Sequence, residues 1–170
     1  MTNDSFLRYA EEYTDMVFRL AFHYLGTKMD AEDVTQNVLI KLYQSEKSFD
    51  SQDHVRNWLV RVTVNECKSL FRSGWRHTES LDELGEASAP PVTLYDPFGH
   101  GRAGPEEGGA LAAVMRLPAK YRVVIYLYYY EEYDTGEIAE LLHIPAATVR
   151  TRLARGRERL KQNLKEVATE

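Results

Sequence analysis

Ala146 to Lys165 carry seven lysines and arginines and one acid, Glu158. That is a net charge of +6 in a chain whose formal net charge is −5. Such a cluster offers contact with phosphates and with the acceptor edges of bases. A guanidinium can present two N–H donors to guanine, and both cation types neutralise a DNA backbone. Position decides which of these is open to each residue. At about 100° per residue, Val149, Leu153, Leu160 and Leu164 fall within roughly 60° of arc. Thr151 and Arg155 lie opposite, with Thr148, Arg150 and Ala154 beside them. An apolar stripe backed by small and cationic residues suits a helix lying in a major groove. A basic helix can also be only a solvated surface, but the concentration of charge in an acidic chain favours nucleic acid.

Two helices are needed to aim this face. Asp134 can cap the first, and Glu137 three residues on completes a capping box. Ile138, Ala139, Leu141 and Leu142 follow at helical spacing. His143-Ile144 is the break, and Pro145 suits the first position of the second helix. The pattern is a helix-turn-helix. Upstream, Leu111, Val114 and Met115 lead to Leu117-Pro118. An apolar, tyrosine-rich helix is then expected over Tyr121 to Tyr130, packed beneath the pair.

The N-terminal part predicts three more helices. The first is capped by Asp4 or Ser5, continues through Phe6, Tyr9, Tyr13, Val17, Leu20 and Tyr24, and ends at Gly26. The second starts near Asp30 and turns Ala31, Val34, Val38, Leu39 and Leu42 inward. Its outer side is a polar stripe of Asp33, Gln36, Asn37 and Lys41. Ser45 to Asp53 reads as a loop with one aromatic, Phe49. The third helix spans about His54 to Ser73, with Val55, Trp58, Leu59, Val62, Leu70 and Phe71 as its apolar face. Asn65 interrupts that face, and Lys68 and Arg72 lie toward the end. A mid-helix asparagine there is either a satisfied core group or a pocket group for a polar ligand edge.

Residues 74–109 break the periodicity. They hold seven of the ten glycines, four of the six prolines, and seven acids against two bases. Apart from a short helical stretch near Leu81–Leu84 and the aromatics Tyr95 and Phe98, this reads as a flexible acidic linker. The expected fold is therefore all-α: two small helical domains, 1–73 and 110–170, joined by the linker 74–109, the second domain a helix-turn-helix. The acidity sits mostly in the linker, while residues 110–170 are net +2, so the negative total does not exclude a DNA partner.

Several classes of chemistry are disfavoured. Cys67 is the only cysteine, so no internal disulfide or Cys-rich zinc site can form. The five histidines are scattered without ligand spacing. There is no phosphate-cradling glycine loop, nucleophile elbow or HExxH. An enzyme is not expected, nor a catalytic residue, a metal or a cofactor. No apolar run nears the ~20 residues of a membrane span, and the polar, acidic start is unlike a signal peptide. A cytoplasmic protein with no direct membrane insertion is the expectation.

Two blocks together resemble one family. AEDVTQNVLIKLYQSEKSFD with NWLVRVTVNECKSLFR, and LPAKYRVVIYLYYYEEYDTGEIAELLHIPAATVRTRLARGRERL, resemble the extracytoplasmic-function sigma factors of bacteria, small two-domain members of the sigma class. The resemblance implies a factor that binds core RNA polymerase and directs it to the −10 and −35 elements of promoter DNA, under an anti-sigma factor. It implies polymerase docking through Asp33, Gln36 and Asn37, the last standing where the family often has an acid. It implies −10 recognition by Phe49, Ser51, Asp53, Trp58 and Asn65, with Lys68 and Arg72 on phosphates. It implies −35 recognition by Arg150, Thr151, Ala154 and Arg155, with Thr148, Arg152 and Arg157 nearer the backbone. Two other readings compete: a helix-turn-helix regulator that binds duplex DNA without polymerase, and an interaction module that only sequesters an anti-sigma partner. The N-terminal block argues against the first, and the arginine face against the second.

Overall fold

Seven α-helices and one π-helical turn make up the secondary structure of the described residues, which contain no strand. The computed structural model describes residues 1–72 and 105–169. The expected linker, with Leu81–Leu84, Tyr95 and Phe98, lies outside the described residues except for its last five. The chain divides into two compact units.

In the N-terminal unit α1 (Asn3–Leu25), α2 (Lys28–Gln44) and α3 (Gln52–Arg72) pack on one another. Thr2, rather than Asp4 or Ser5, caps α1, its hydroxyl accepting the Ser5 N–H at 3.2 Å. Gly26 closes α1 in the left-handed conformation (φ 82°) and donates its N–H to Phe22 O, a geometry that favours glycine. Thr27 caps α2 and also donates to the Asp30 carboxylate at 2.8 Å, so Asp30 lies inside the first turn. Ser51 caps α3 by accepting the His54 N–H at 3.1 Å, and the helix starts two residues earlier than expected.

The core joins Val17, Leu20 and Phe22 of α1 to Val34, Val38 and Leu42 of α2 and to Val55, Leu59, Val60, Val64 and Cys67 of α3. Asn65 is exposed and does not interrupt this face. The buried polar group of α3 is Thr63, satisfied by donating to Leu59 O at 2.6 Å. Burial pushes the Cys67 thiol well above its ordinary range, which keeps it protonated as a small core residue. Tyr13 donates to Gln52 Oε1 at 2.5 Å and ties α1 to the start of α3. Burial, and then neighbouring Glu12, push its phenol up to about 12, so it remains a donor at neutral pH.

The C-terminal unit comprises α4 (Pro105–Met115), α5 (Ala119–Ile125), a π-helical turn (Tyr126–Tyr130), α6 (Thr135–Leu142) and α7 (Ala146–Thr169). Helix α4 begins at Pro105, five residues inside the segment expected to be linker. Proline at the first helical position lacks only a donor that would be unpaired there anyway. The single helix expected over Tyr121–Tyr130 is instead α5 followed by the π turn, which closes with the Glu131 N–H on Tyr126 O at 3.2 Å. Tyr121 and Tyr126 are buried, whereas Tyr129 and Tyr130 are exposed.

Arg122 is the main polar strut of this unit. It is 1% exposed and donates to Met115 O at 3.2 Å and Leu117 O at 3.1 Å, carbonyls at the end of α4 that have no helical partner beyond them. Burial lowers its guanidinium to about 10, still charged at neutral pH. Helix α7 crosses α5 at Gly156, where a Cβ would stand 2.8 Å from Ile125 Cδ1 and 3.3 Å from Tyr121 Cβ. Asn163 Nδ2 donates to Ala113 O at 3.1 Å, fixing the far part of α7 to α4. Replacing Arg122 by methionine leaves buried carbonyls without their donors. It is expected to destabilise the unit by about 2–4 kcal/mol, read as faster hydrogen exchange of α4 and α5 amides with α1–α3 unchanged.

Candidate nucleic-acid interface

The helix-turn-helix is built locally. Asp134 Oδ1 accepts the Glu137 N–H at 2.8 Å, and Glu137 Oε1 accepts the Asp134 N–H at 3.2 Å, so the expected capping box is present. His143 ends α6 at φ 56°, in the left-handed region, and its N–H reaches Ala139 O. Pro145 stands one residue earlier than expected. Its carbonyl accepts the Thr148 and Val149 N–H groups at 3.0 and 3.2 Å, which makes it the cap, and Ala146 is the first helical residue.

Val149 and Leu153 of α7 are buried with Ile138, Leu141 and Leu142 of α6. Leu160 is half-buried and Leu164 is 42% exposed, so the inward stripe weakens along the helix. Arg150, Thr151, Ala154 and Arg155 are all exposed and Thr148 is half-exposed, as their spacing predicts. Thr151 returns its hydroxyl to Ala147 O at 3.0 Å.

Two arginines expected nearer the backbone are engaged within their own unit. Arg152 is only 8% exposed and turns toward α5. It is not part of the outward face, because its position on α7 lies on the flank that meets the neighbouring helix. Arg157 is exposed, but it donates from Nε to the Tyr129 hydroxyl and lies over the Tyr128 and Tyr129 rings at 5.5 and 5.4 Å. Arg159 lies over the Tyr121 ring at 5.6 Å. Packing thus occupies three of the seven cations, and the +6 count overstates the charge available on the outer face.

In the N-terminal unit Phe49 is half-buried among three rings met edge-on: His54 at 5.2 Å, Trp58 at 5.6 Å and Tyr9 at 5.8 Å. Ser51 is the helix cap described above. Asp53 and Asn65 are exposed, and Trp58 and Lys68 are half-buried. Arg72 is the last residue of α3, and its side chain lies outside the described residues. At helical spacing His54, Trp58, Arg61, Asn65 and Lys68 share one side of α3. The exposed Arg61 escaped the sequence reading, although a step of three from Trp58 and four to Asn65 marks it.

Asp33, Gln36 and Asn37 form an exposed ridge on α2. Lys41, placed beside them by the sequence, is exposed and pairs with Glu66 of α3. The ridge has two apolar members the sequence reading missed, Met29 at 73% and Ile40 at 47% exposure, in line with Asp33 and Gln36 at steps of four, three and four. No helix among the described residues is long and apolar enough to cross a membrane, and no group of metal-ligating side chains occurs among them.

A two-unit helical chain with an outward basic helix on one unit and an aromatic, polar surface on the other defines a DNA-directed helix-turn-helix factor. Comparison with known proteins gives the family. Residues 9–77 match the Sigma-70 region 2 model, and residues 109–160 match the Sigma-70, region 4 model. The ECF RNA polymerase sigma factor SigW of Bacillus subtilis is 30% identical over 96% of this chain and 91% of its own. The ECF sigma factor SigM of Mycobacterium tuberculosis is 30% identical over 86% of this chain and 70% of its own. A structure of the sigma factor RpoE from Bartonella quintana, solved in complex with the anti-sigma factor NepR, has a TM-score of 0.71 at 22% identity, covering 95% of this chain and 97% of that one, and so shares the fold. The chain belongs to the extracytoplasmic-function sigma factors. It is a transcription initiation factor that directs RNA polymerase to promoters.

The capping box carries a pH signature. The Glu137 N–H first, then its side chain and the Gly136 N–H, hold the Asp134 carboxyl below its ordinary 3.8. A carboxylate with a lowered folded-state pKa contributes stability above its unfolded value and loses it as the pH falls through the folded one. The α6 amides should therefore lose exchange protection below about pH 4 in the native chain. Asp134→Asn, which keeps an accepting oxygen, should retain the cap without this pH dependence, whereas Asp134→Ala should lose protection at every pH.

Proposed function

We propose a division of labour among named surfaces of this sigma factor. The outer face of α7 (Arg150, Thr151, Ala154, Arg155, with Thr148 at its edge) reads the −35 element in the major groove. The observation that supports this most directly is that Arg150, Thr151, Ala154 and Arg155 stand exposed on a helix whose opposite stripe, Val149 and Leu153, is buried. Arg157, held by tyrosines, reaches the backbone only by leaving them.

The Phe49–Trp58 cluster and the adjoining side of α3 receive the opened −10 strand. Phe49 and Trp58 supply ring surface, Asn65 a polar edge, and Arg61, Lys68 and Arg72 phosphate contacts, with Ser51 and Asp53 at the rim. Asp33, Gln36 and Asn37, flanked by Met29 and Ile40, dock on core polymerase. The first domain spans 1–73, and the −35 domain begins at Pro105 rather than Ala110. The protein performs no covalent step and works in the cytoplasm. An anti-sigma factor holds it inactive, as NepR is bound to RpoE in the similar structure.

Each surface has its own test in run-off transcription with core polymerase. An arginine on a guanine edge supplies about 1–3 kcal/mol of discrimination, roughly 5- to 150-fold. Arg155→Ala should lower initiation from promoters with an intact −35 element by a factor in that range while co-purification with polymerase is unchanged. Equal promoter selectivity in mutant and native protein would sink the −35 assignment. Asp33→Ala with Gln36→Ala should abolish co-purification with polymerase and leave the fold intact by circular dichroism. A complex that survives these changes rejects the docking assignment.

A further inference from the structure

Helix α1 carries none of the residues placed above on DNA or polymerase, yet one edge of it runs along the segment that presents Phe49. Phe6, Tyr9 and Tyr13 follow one another at steps of three and four, which sets them on one side of the helix. The Phe6 ring meets Tyr43 edge-on at 5.2 Å, just before the segment begins. The Tyr9 ring meets Phe49 edge-on at 5.8 Å, within it. The Tyr13 hydroxyl donates to Gln52 Oε1 at 2.5 Å, just after it. From Phe6 to Tyr13 the helix rises only about 10 Å, whereas the stretch from Tyr43 to Gln52 could reach about 30 Å if extended. Three side chains of one helix thus fasten the segment before, at and beyond its aromatic residue.

The Tyr9 contact differs in kind from the other two that Phe49 makes. His54 and Trp58 belong to α3, which begins at Gln52, so their contacts are local along the chain. Tyr9 is forty residues from Phe49 in sequence. It stands on a helix whose Val17, Leu20 and Phe22 lie in the core, and so ties Phe49 to the body of the unit. An edge-on aromatic pair favours one ring orientation over others. A ring that must accept an unstacked base loses less on binding when its orientation is already set. We propose that Tyr9 is a positioning residue for −10 recognition: from α1, with Tyr13 as a second fastening, it sets where Phe49 stands when a base of the opened strand arrives. The inference rests on the −10 reading above and extends it to a helix outside that surface. Tyr9 itself stays off the DNA, and promoter opening depends on α1 through it.

The test uses the complete chain with core polymerase in run-off transcription from two promoters, one it initiates from and the same one with its −10 element substituted. The quantity read is the ratio of the two yields from one preparation. A fall in folded or polymerase-bound protein lowers both yields and cancels in that ratio, whereas a misplaced reader changes it. Tyr9→Leu, which keeps apolar bulk and removes the ring, should lower the ratio about fivefold. Tyr9→Phe, which keeps the ring, should retain the native ratio. Tyr13→Phe, which removes only the donor, should lower it by a factor of about 2–3. Phe49→Ala should lower the ratio as well, and adding Tyr9→Leu to it should lower it no further, because both act through one ring. A native ratio in Tyr9→Leu or in Tyr13→Phe, a loss in Tyr9→Phe equal to that in Tyr9→Leu, or full additivity with Phe49→Ala would each overturn the proposal. If Phe49→Ala loses the ratio while Tyr9→Leu keeps it, the inference from α1 alone fails. If Phe49→Ala keeps the native ratio, the −10 reading beneath it fails.

Discussion

Helix α7 has to be core and reader at once, and its rotation about its own axis is the constraint from which the rest of the C-terminal unit follows. Val149 and Leu153 face α6, and Gly156 lets α5 approach so closely that any Cβ would press on Ile125 and Tyr121. Turning the helix by one residue would expose a buried leucine, worth about 2 kcal/mol, and push Arg155 toward an apolar interior, where an unpaired charge costs several kcal/mol more. The outward face is therefore aimed by the inward one. The capping box at Asp134 and the left-handed turn at His143 fix the other angle, the one between α6 and α7.

Charge in this unit is sorted by neighbour rather than by count. Arg122 is buried against the carbonyls that end α4, Arg159 covers Tyr121, and Arg157 is held by Tyr128 and Tyr129. Arg150 and Arg155 remain pointing outward. The −35 contact proposed for a face with two outward arginines and small residues around them is shallow and specific rather than strongly electrostatic. Such weakness is tolerable in a chain whose other unit and polymerase partner engage the same DNA, because linked contacts act at high effective concentration. It also reconciles a net charge of −5 with a role on DNA.

What could be read in the sequence was what neighbours along the chain decide. The capping box needs only Asp134 and Glu137; the stop at Gly26 needs one residue without a Cβ; the outer face of α7 follows from a stripe at three- and four-residue steps. Features that depend on partners distant along the chain were not legible in this way. Arg152 and Arg157 sit on the flanks of α7, where the adjoining helix or turn determines whether a cation is covered, and sequence spacing does not say what adjoins. Asn65 interrupts the apolar face in the sequence, where a core group and a pocket group fit equally; it stands exposed, because α3 buries Thr63, Val64 and Cys67 on either side of it. Lys41 keeps its place on the outer side of α2 while pairing with Glu66, twenty-five residues on, a partner that spacing does not show. Arg122 gave no signal at all, since an arginine in an apolar helix is explained only by carbonyls five and seven residues back.

The two units solve recognition in opposite ways, and the difference follows from the state of the DNA each is proposed to meet. A duplex presents its groove already formed, so α7 needs only the right residues on a rigid cylinder. A melted strand presents nothing until bases leave the stack, and the surface that receives them must be ready beforehand, because ordering it during melting would add to the barrier. Phe49 lies in a loop, which by itself would be mobile, but its ring is fixed by Tyr9, His54 and Trp58, and the loop is tied to α3 by Ser51 and by the Asp50 N–H on His54 Nδ1 at 3.2 Å. The aromatic cluster thus holds a loop residue in one place. Substitution of its supporting rings, Tyr9 or His54, would loosen Phe49 without touching any group placed on the DNA.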